Sequence, residues 1–547
     1  MALAIDAGAT DEPLIEMTIG ELLARTVAEH GDREALIVPH QGVRLTWSEF
    51  DAVIDQVAKG LMAYGVEVGD RVGMWSPNYA EWVYVQFATA KIGAIQVNVN
   101  PSYRTSELEY ALNQSGAKIL ITRTSYLTSM YQDMVEAVSP KCPDLERTIY
   151  FDTDDWQALL DAGASVSDDQ LSERASGLSA EDPINIQYTS GTTGFPKGAT
   201  LSHRSLVNDA KFVGEMQDFS GDDRLCIPVP FYHCFGMVMG NLACCVFGIP
   251  MVIPSPTFDP VQVLQTVADE RCTVLYGVPT MFIAELSHVG ADGAALDLSS
   301  LRTGIMAGSP CPIEVMRDVI DKMNMDQVTI AYGQTETSPV STQTRTSDSV
   351  EKRVTTVGQV LPHVEAKIVD PETGETVERG ERGEYCTRGF HVMVGYWNDP
   401  EKTAEAIDAD GWMHSGDLAT MDADGFVNIV GRIKDMIIRG GENVYPREIE
   451  EFLYTHPKIA DAQVIGVPDA KYGEEIMAWV QLNDGETATD QEIKDFCKGK
   501  IAHFKVPRYI TFVNEFPMTV TGKIRKVEMR EKSIADLGLE GAIADTA

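Results

Sequence analysis

The alternation of short apolar runs with helical-period segments is the feature that most constrains this fold. Three runs of strand length occupy residues 70–75 (DRVGMW), 94–99 (AIQVNV) and 117–122 (AKILIT). Helical patterns precede, separate and follow them, and the first of these starts at a capping box made by Thr46 and Glu49. Strands that alternate with helices are typical of βαβ units with parallel pairing. The sequence therefore predicts an α/β fold.

The length of the chain predicts more than one lobe. Single hydrophobic cores stop growing near about 250–300 residues, and this chain has 547. The α/β pattern continues to about residue 360, and residues 360–395 predict short strands and turns, a small β unit. Beyond residue 436 the pattern is that of a separate small α+β domain. We expect the boundary near residues 432–435.

Charge and cysteine content exclude several classes of partner and site. The net charge of −38 would repel nucleic acid. The nine cysteines are irregularly spaced without a CxxC, which indicates neither a disulfide framework nor a zinc site and favours a reducing compartment, the cytoplasm. The most apolar stretch, residues 242–254, is broken by Gly248 and Pro250, so we expect buried strands joined by a turn and no transmembrane segment.

Residues 186–201, IQYTSGTTGFPKGATL, have the composition of a polyphosphate site. Glycines let successive backbone N–H groups face an anion, hydroxyls add donors, and Lys197 adds positive charge. The loop is not a Walker A motif, because Pro196 stands where its second glycine is required. Composition alone leaves a flexible surface loop as the alternative.

The same loop resembles the signature of the adenylate-forming superfamily, which includes acyl-CoA synthetases, aryl-CoA ligases and luciferases. Further motifs occur in the family order: AYGQTE (331–336), YWNDPEKT (396–403), GWMHSGDL (411–418), GRIKDMIIRGGENVYPREIE (431–450) and PMTVTGKIRK (517–526). The resemblance spans about residues 20–533. The sequences of the motifs are most similar to those of the medium-chain fatty acyl-CoA synthetase branch. It implies a large N-terminal AMP-binding domain of α/β subdomains (1–431), a hinge (432–436) and a small mobile C-terminal domain (437–547).

The family reaction has two steps. A carboxylate attacks the α-phosphate of ATP to give an acyl-adenylate and pyrophosphate, and a thiol then displaces AMP. The resemblance therefore predicts an ATP-dependent fatty acid:CoA ligase that uses ATP, Mg²⁺ and coenzyme A, with a second copy of the chain as an expected partner. The alternatives are a ligase for an aromatic acid or a carrier-protein thiol, and a catalytically silent nucleotide-binding protein.

The resemblance also assigns nucleotide-binding residues. Tyr332 would lie against the adenine ring, and Gly333 after it is also assigned to nucleotide binding. Gly308 and Ser309 would run beside the adenine and acyl sites, and Asp417 would bind the ribose hydroxyls. Residues next to these would complete the site: Arg432 beside the ribose, Lys434 at the hinge, and Gly441 and Glu442 near the thiol tunnel. The loop residues that would hold the β- and γ-phosphates are Thr189, Ser190, Gly191, Thr192, Thr193, Gly194, Lys197 and Gly198.

Four residues are assigned to the chemistry. Thr335 would contact the α-phosphate, and Glu336 would ligate Mg²⁺, which prefers oxygen ligands. The ammonium of Lys523 would bridge the substrate carboxylate and the α-phosphate as charge develops. His233 would lie near the carboxylate in a hydrophobic acyl pocket, with a purely structural histidine as the alternative.

Overall fold

The computed structural model describes residues 2–189, 196–289, 296–309, 311–439, 442–469, 471–498, 500–518 and 524–539. These residues form two compact units. The larger unit comprises Asp6–Ala366 and Thr387–Met413, and the smaller comprises Met1–Ile5, Lys367–Cys386 and His414–Ala547.

The first sheet of the larger unit has seven strands, of which five are parallel neighbours and two form an antiparallel edge. The central strands are buried, and Ile95–Val99 is buried at every residue. The spatial order is Gly395–Tyr396, Lys197–Ser202, Pro183–Thr189, Ile95–Val99, Arg71–Trp75, Ala117–Thr122 and Arg147–Tyr150.

The second sheet of this unit has nine strands, with six parallel strands at its centre and antiparallel strands at both edges. Parallel strands place their carboxyl ends along one edge, where ligands of α/β proteins bind. The spatial order is Gln359–Val360, Val340–Gln343, Gln327–Gly333, Thr303–Ala307, Val274–Gly277, Leu225–Cys226, Met251–Val252, Glu34–Val38 and Val43–Thr46.

The helices of the larger unit alternate with these strands, as the sequence pattern predicts. The capping box at Thr46 forms, since its hydroxyl accepts from the Glu49 N–H at 3.3 Å and the Glu49 carboxylate accepts from the Thr46 N–H at 2.8 Å. The helices are Ile19–His30, Trp47–Ala63, Ala80–Lys91, Thr105–Ser115, Tyr131–Val138, Asp154–Ala162, Asp168–Ser176, His203–Glu215, Phe235–Leu242, Ala243–Phe247, Pro260–Glu270, Pro279–His288, Ile313–Met323, Val350–Thr355 and Pro400–Ala406. Short 3₁₀ turns occupy Pro39–Gln41, Ser139–Lys141, Gly163–Ser165 and Thr335–Thr337, and a small hairpin pairs Ser125–Tyr126 with Ser129–Met130.

Two further sheets contain most of the remaining strands. One has the order Ile5–Ala7, Val364–Val369, Arg382–Gly389, Met413–Met421 and Val427–Arg432. The other has the order Glu442–Val444, Ile437–Arg439, Gly473–Leu482 and Ile459–Asp469, with Tyr509–Phe512 parallel to Gly473–Leu482. The accompanying helices are Pro446–Tyr454, Asp490–Cys497 and Lys526–Leu537, with 3₁₀ turns at Ile433–Asp435 and His503–Lys505.

The structure corrects the expectation for residues 242–254. The first half is helical rather than a strand: a π-helix, Phe235–Leu242, continues into the helix Ala243–Phe247, which ends at Gly248 in the left-handed conformation (φ 64°). Only Met251–Val252 is a strand. A short, uniformly apolar run does not distinguish a buried helix from a buried strand, because neither periodicity is visible in it.

Candidate active site

The carboxylate of Glu336 is the centre of a polar group in the larger unit. The strand Gln327–Gly333 ends just before the 3₁₀ turn Thr335–Thr337, and this turn holds Glu336 with only 6% of its surface exposed. Its Oε1 accepts hydrogen bonds from Thr189 Oγ1 at 3.1 Å and from Tyr396 Oη at 2.9 Å. Lys197 Nζ donates to the same tyrosine oxygen at 2.9 Å. The ends of the phosphate-loop motif are therefore connected to the predicted metal ligand.

A β-hairpin positions the two ends of the loop. Thr189 and Lys197 are directly opposite each other in the antiparallel pair Pro183–Thr189 and Lys197–Ser202. Gly198, the next residue, packs so closely that a Cβ would lie 2.9 Å from the Ile186 side chain. The glycine is needed here for close packing, while its neighbour Lys197 presents its ammonium to the ring of Tyr396, 4.1 Å from the centroid.

Tyr396 stays a hydrogen-bond donor in this arrangement. Burial, and then the negative charge of Glu336, raise the pKa of the Tyr396 hydroxyl well above its ordinary value. A protonated hydroxyl can donate to the carboxylate while accepting from the ammonium of Lys197. The tyrosine thus spaces the two opposite charges and fixes the orientation of both.

The residues around Glu336 fit a magnesium ion. Both hydroxyl donors contact Oε1, so among the residues that the structure describes Oε2 keeps its lone pairs for a cation. Carboxylate oxygens next to phosphate oxygens are the ligands that Mg²⁺ takes in nucleotide sites. The nearby Thr189 hydroxyl adds a further oxygen, and no soft ligand contacts the carboxylate among the described residues.

The residues predicted to contact adenine lie at adjacent strand ends. The strands Thr303–Ala307 and Gln327–Gly333 are parallel neighbours, with Ala307 opposite Ala331. Gly308 and Ser309 therefore follow one strand at the same edge at which Tyr332 and Gly333 end the next. Gly308 has a φ of 90°, which permits the sharp exit from the strand.

His233 lies at the start of the π-helix Phe235–Leu242 and is half-buried, with its ring 4.2 Å from that of Tyr232. π-helical turns are rare and occur frequently at functional sites. Met237 on this helix accepts from Asn98 Nδ2 at 3.2 Å and from Gln187 Nε2 at 3.1 Å through its sulfur. Asn185 donates to Asn98 and accepts from Gln187, so buried amides anchor the helix.

The predicted ribose-binding residue Asp417 is in the smaller unit. It lies on the strand Met413–Met421, directly opposite Arg432 on Val427–Arg432, and Arg432 Nε contacts Asp417 Oδ1 at 3.1 Å. Asp417 is 8% exposed, whereas the Arg432 side chain is 63% exposed. Lys434 is exposed in the 3₁₀ turn Ile433–Asp435 that follows.

Several predicted residues lie outside the described part of the chain: Ser190, Gly191, Thr192, Thr193, Gly194, Gly441 and Lys523. Glu442 begins the strand Glu442–Val444, and only its backbone is described. The roles of these residues stay predictions.

Sequence reasoning assigned no role to Tyr396, although it opens the motif YWNDPEKT. The buried amides Asn98, Asn185 and Gln187 were also missed. Their signal was available, because polar residues alternate along the strands Ile95–Val99 and Pro183–Thr189, which are otherwise apolar and buried. An unexplained polar position in a strand buried on both faces needs a partner.

Two sequence-family models match the chain. The AMP-binding enzyme model covers residues 23–397, and the model of the AMP-binding enzyme C-terminal domain covers residues 448–523. The protein YngI of Bacillus subtilis is 52% identical over 97% of this chain and 99% of its own length. The medium-chain acyl-CoA ligase ACSF2 of Danio rerio is 46% identical over 97% of this chain and 91% of its own length.

Solved structures share the fold. ATP-bound MatB from Rhodopseudomonas palustris matches with a TM-score of 0.81 and 31% identity, covering 95% of this chain and 100% of that one. The anthranilate CoA ligase AuaEII in complex with anthranoyl-AMP matches with a TM-score of 0.84 and 27% identity, covering 96% and 99%. This chain has an α/β fold with a larger and a smaller unit, and these matches confirm the predicted fold class.

The chain belongs to the AMP-binding enzyme family. The predicted class of activity, an AMP-forming acid–thiol ligase of the acyl-CoA synthetase type, is confirmed, and ATP, CoA and Mg²⁺ are the co-substrates and metal of this class. Within the described ranges, no helix combines the length and the apolar character that crossing a membrane requires.

Proposed function

We propose that this protein activates a medium-chain fatty acid as its acyl-adenylate and transfers the acyl group to coenzyme A. The observation that carries the site assignment is the buried Glu336 carboxylate, held by hydroxyls of Thr189 and Tyr396 beside the Lys197 ammonium. This combination of one acid, two hydroxyls and one ammonium supports the binding of a magnesium-bound polyphosphate.

In the first half-reaction the fatty-acid carboxylate attacks the α-phosphorus of ATP, the bond to the bridging β-phosphate oxygen breaks, and pyrophosphate leaves. Lys197 and the loop hold the β- and γ-phosphates, while Thr335 orients the α-phosphate. Glu336 would hold Mg²⁺, which would supply positive charge to neutralise the phosphate oxygens. Lys523 stabilises the charge that grows between carboxylate and α-phosphate. Because the protein forms no covalent bond, positioning and charge carry the rate.

In the second half-reaction the thiolate of CoA attacks the acyl carbon, and AMP leaves. Asp417 would retain the ribose through two hydroxyl hydrogen bonds during both steps. Gly441 and Glu442 would border the path of the thiol after the C-terminal domain, residues 437–547, turns about the hinge at 432–436. Lys434 at that hinge would absorb the backbone change.

The acyl specificity rests on the relatives and on composition near His233. ACSF2 proteins that share 44–46% identity over about 90% of their own length are named medium-chain acyl-CoA ligases. The π-helix Phe235–Leu242 contributes buried apolar residues, among them Met237 and Met239. Methionine side chains adapt to ligands of different length, which supports a hydrophobic chain without a unique length.

A panel of acids tests this proposal directly. The purified protein is supplied with ATP, Mg²⁺ and CoA, and AMP and thioester are measured with octanoate, palmitate, benzoate and coumarate. Thioester formation with octanoate in preference to the others is the expected result. A preference for benzoate or coumarate would replace the proposal with an aromatic-acid ligase, and AMP release without thioester would indicate a carrier-protein acceptor.

We further infer a reducing compartment, the cytoplasm, and a homodimer. All nine cysteines are buried thiols without disulfides, which supports a reducing environment. Cell fractionation checks the compartment, and mitochondrial recovery, as the ACSF2 names specify for those relatives, would contradict it. Light scattering on the purified chain checks the homodimer, which stays a prediction from the family resemblance.

A further inference from the structure

A group of three metal-ligating side chains lies in the smaller unit, and the AMP-forming reaction does not use it. Glu384 and Cys386 are on the strand Arg382–Gly389, and His414 is on the neighbouring strand Met413–Met421. One carboxylate oxygen, the sulfur and one imidazole nitrogen lie within 4.8 Å of one another. Residues i and i+2 of a strand point to the same face, which explains why Glu384 and Cys386 converge.

The distance between the sulfur and the nitrogen matches that around a tetrahedral metal. His414 Nδ1 lies 3.4 Å from Cys386 Sγ and 2.9 Å from Glu384 Oε2. A tetrahedral Zn²⁺ with Zn–S near 2.3 Å and Zn–N near 2.0 Å separates its sulfur and nitrogen ligands by about 3.5 Å. An ion bound to the sulfur and the nitrogen therefore needs little movement of either atom, and the carboxylate oxygen would move away from Nδ1 to join them.

The surroundings hold the ligands in place and leave a route for the ion. The N–H of Gly416 donates to Glu384 Oε1 at 2.9 Å, so the other oxygen, Oε2, is the one turned toward His414. The Ser415 hydroxyl donates to the Tyr385 carbonyl at 2.6 Å and fastens the two strands between the ligands. Cys386 is fully buried, whereas the His414 side chain is 34% exposed, which lets solvent reach the cluster.

A carboxylate oxygen lies beside the imidazole, since Glu384 Oε2 is 2.9 Å from His414 Nδ1. A metal ion can take the place of the proton that the two atoms share. When the metal binds, the Cys386 thiol proton and the Nδ1 proton pass to solvent, and the sulfur and nitrogen lone pairs form the coordinate bonds.

We propose that Glu384, Cys386 and His414 form a binding site for Zn²⁺ or a similar borderline-soft divalent ion, with water as the fourth ligand. A thiolate and an imidazole select such ions over Mg²⁺, which takes oxygen ligands. The spacing of cysteines in the sequence gave no indication of this site, because only one cysteine participates and the histidine comes 28 residues later.

The test uses the full-length protein, reduced, treated with chelator and returned to metal-free buffer. Zn²⁺ affinity is measured by competition with a chromophoric chelator, and Co²⁺ is added to detect the near-ultraviolet charge-transfer band of a thiolate–cobalt bond. The expected result is one Zn²⁺ per chain and a thiolate band with Co²⁺. Absence of stoichiometric binding, or Co²⁺ binding without that band, overturns the proposal.

Variants identify the ligands. Cys386→Ser is expected to abolish the cobalt band and to weaken Zn²⁺ binding at least about 10-fold, whereas Cys497→Ser, which alters an equally buried cysteine of the same unit, is expected to change neither. His414→Gln provides a second variant if Cys386→Ser does not fold, as judged by circular dichroism. Zn²⁺ affinity that is unchanged in the folded ligand variants assigns the metal to another site and overturns the proposal.

Discussion

The molecule contains two clusters built around a glutamate, and their partners differ in kind. Glu336 in the larger unit is surrounded by hydroxyls of Thr189 and Tyr396 and by an ammonium. Glu384 in the smaller unit faces an imidazole and a thiol. The first set offers hard oxygen ligands suited to Mg²⁺ and phosphate, and the second offers soft ligands suited to Zn²⁺. The same type of side chain, a glutamate carboxylate, therefore suits different ions according to its neighbours.

The geometry of the two clusters also differs in a way that matters for function. At Glu336 the described hydroxyls donate to one carboxylate oxygen and, within the described residues, leave the other to a cation, so the ligand set needs a substrate to complete it. At Glu384 three potential protein ligand atoms already lie within 4.8 Å of one another. The first arrangement suits an ion that arrives with ATP, and the second suits an ion that resides in the protein.

The largest expected effect follows removal of the negative charge of Glu336, the predicted ligand of Mg²⁺. Glu336→Gln keeps the size of the side chain and removes its charge, so ATP–pyrophosphate exchange is expected to fall on the order of 10³-fold. Glu285→Gln is the matched control, because Glu285 is a fully buried carboxyl of the same unit whose pKa burial raises. An equal loss of ATP–pyrophosphate exchange in both variants would contradict the specific role of Glu336.

A second variant tests whether the Lys523 ammonium has a role in adenylation that is separate from the role of the predicted metal ligand, Glu336. Lys523→Ala is expected to slow adenylation on the order of 10²–10³-fold, because it removes the ammonium that stabilises the developing charge. The same variant should convert supplied octanoyl-adenylate and CoA to thioester at nearly the normal rate. Equal losses in the two half-reactions, measured by quenched-flow chromatography, would contradict the role of Lys523.

A smaller effect is expected when only the hydroxyl between the opposite charges is removed. Tyr396→Phe deletes one hydrogen bond to a carboxylate, worth about 1.5–3 kcal/mol, so kcat/KM for ATP should fall about 10–100-fold. Tyr454→Phe removes a similar bond, from Tyr454 to Asp461 at 2.6 Å, in the smaller unit. It should lower the melting temperature without reducing pyrophosphate exchange. An unchanged kcat/KM in Tyr396→Phe would show that the function of Lys197 and Glu336 does not depend on the hydroxyl group between them.

The smallest expected effect is a loss of folding stability at acidic pH, caused by the buried His203. This loss limits the pH range in which the two clusters can be compared. Burial lowers the pKa of His203 to about 4, and its Nδ1 accepts the N–H of Ile19 at 3.1 Å. Below pH 6.5 His203 takes up a proton in the unfolded chain but not in the folded chain. The contribution of His203 to the free energy of unfolding is therefore complete above pH 6.5 and is lost as pH falls toward 4.

Relative to His203→Asn, the wild-type protein should therefore lose up to about 2 kcal/mol of unfolding free energy between pH 7 and pH 5. Urea denaturation of both proteins at the two pH values gives this difference, and the carboxylates common to both cancel from it. Parallel pH dependences in the two proteins would mean that His203 carries its proton in the folded state.

Local elements could be predicted because their causes lie within a few residues. The strand Ala117–Thr122 has the predicted bounds, and the helix before it ends at Gly116 in the left-handed conformation that glycine adopts easily. The helix Ala243–Phe247 was mistaken for a strand, since the apolar run that contains it shows no period. Tertiary burial decided that element.

The candidate site divides in the same way. The phosphate-loop motif, Glu336 and Asp417 were predicted because each belongs to a contiguous motif with a family meaning. Tyr396 was not, since its function depends on a contact with a residue 60 positions away, and the contact between Thr189 and Glu336 spans 147 positions. No pattern within a short window encodes such contacts.

The class of enzyme, most of the alternation of helices and strands, and the residue types available for phosphate and metal chemistry follow from the sequence. The tertiary structure alone decided that Tyr396 separates Lys197 from Glu336 and that His414 meets Cys386 and Glu384. The physical reason is that strand order and register, set by packing of the whole sheet, determine which distant side chains share a face.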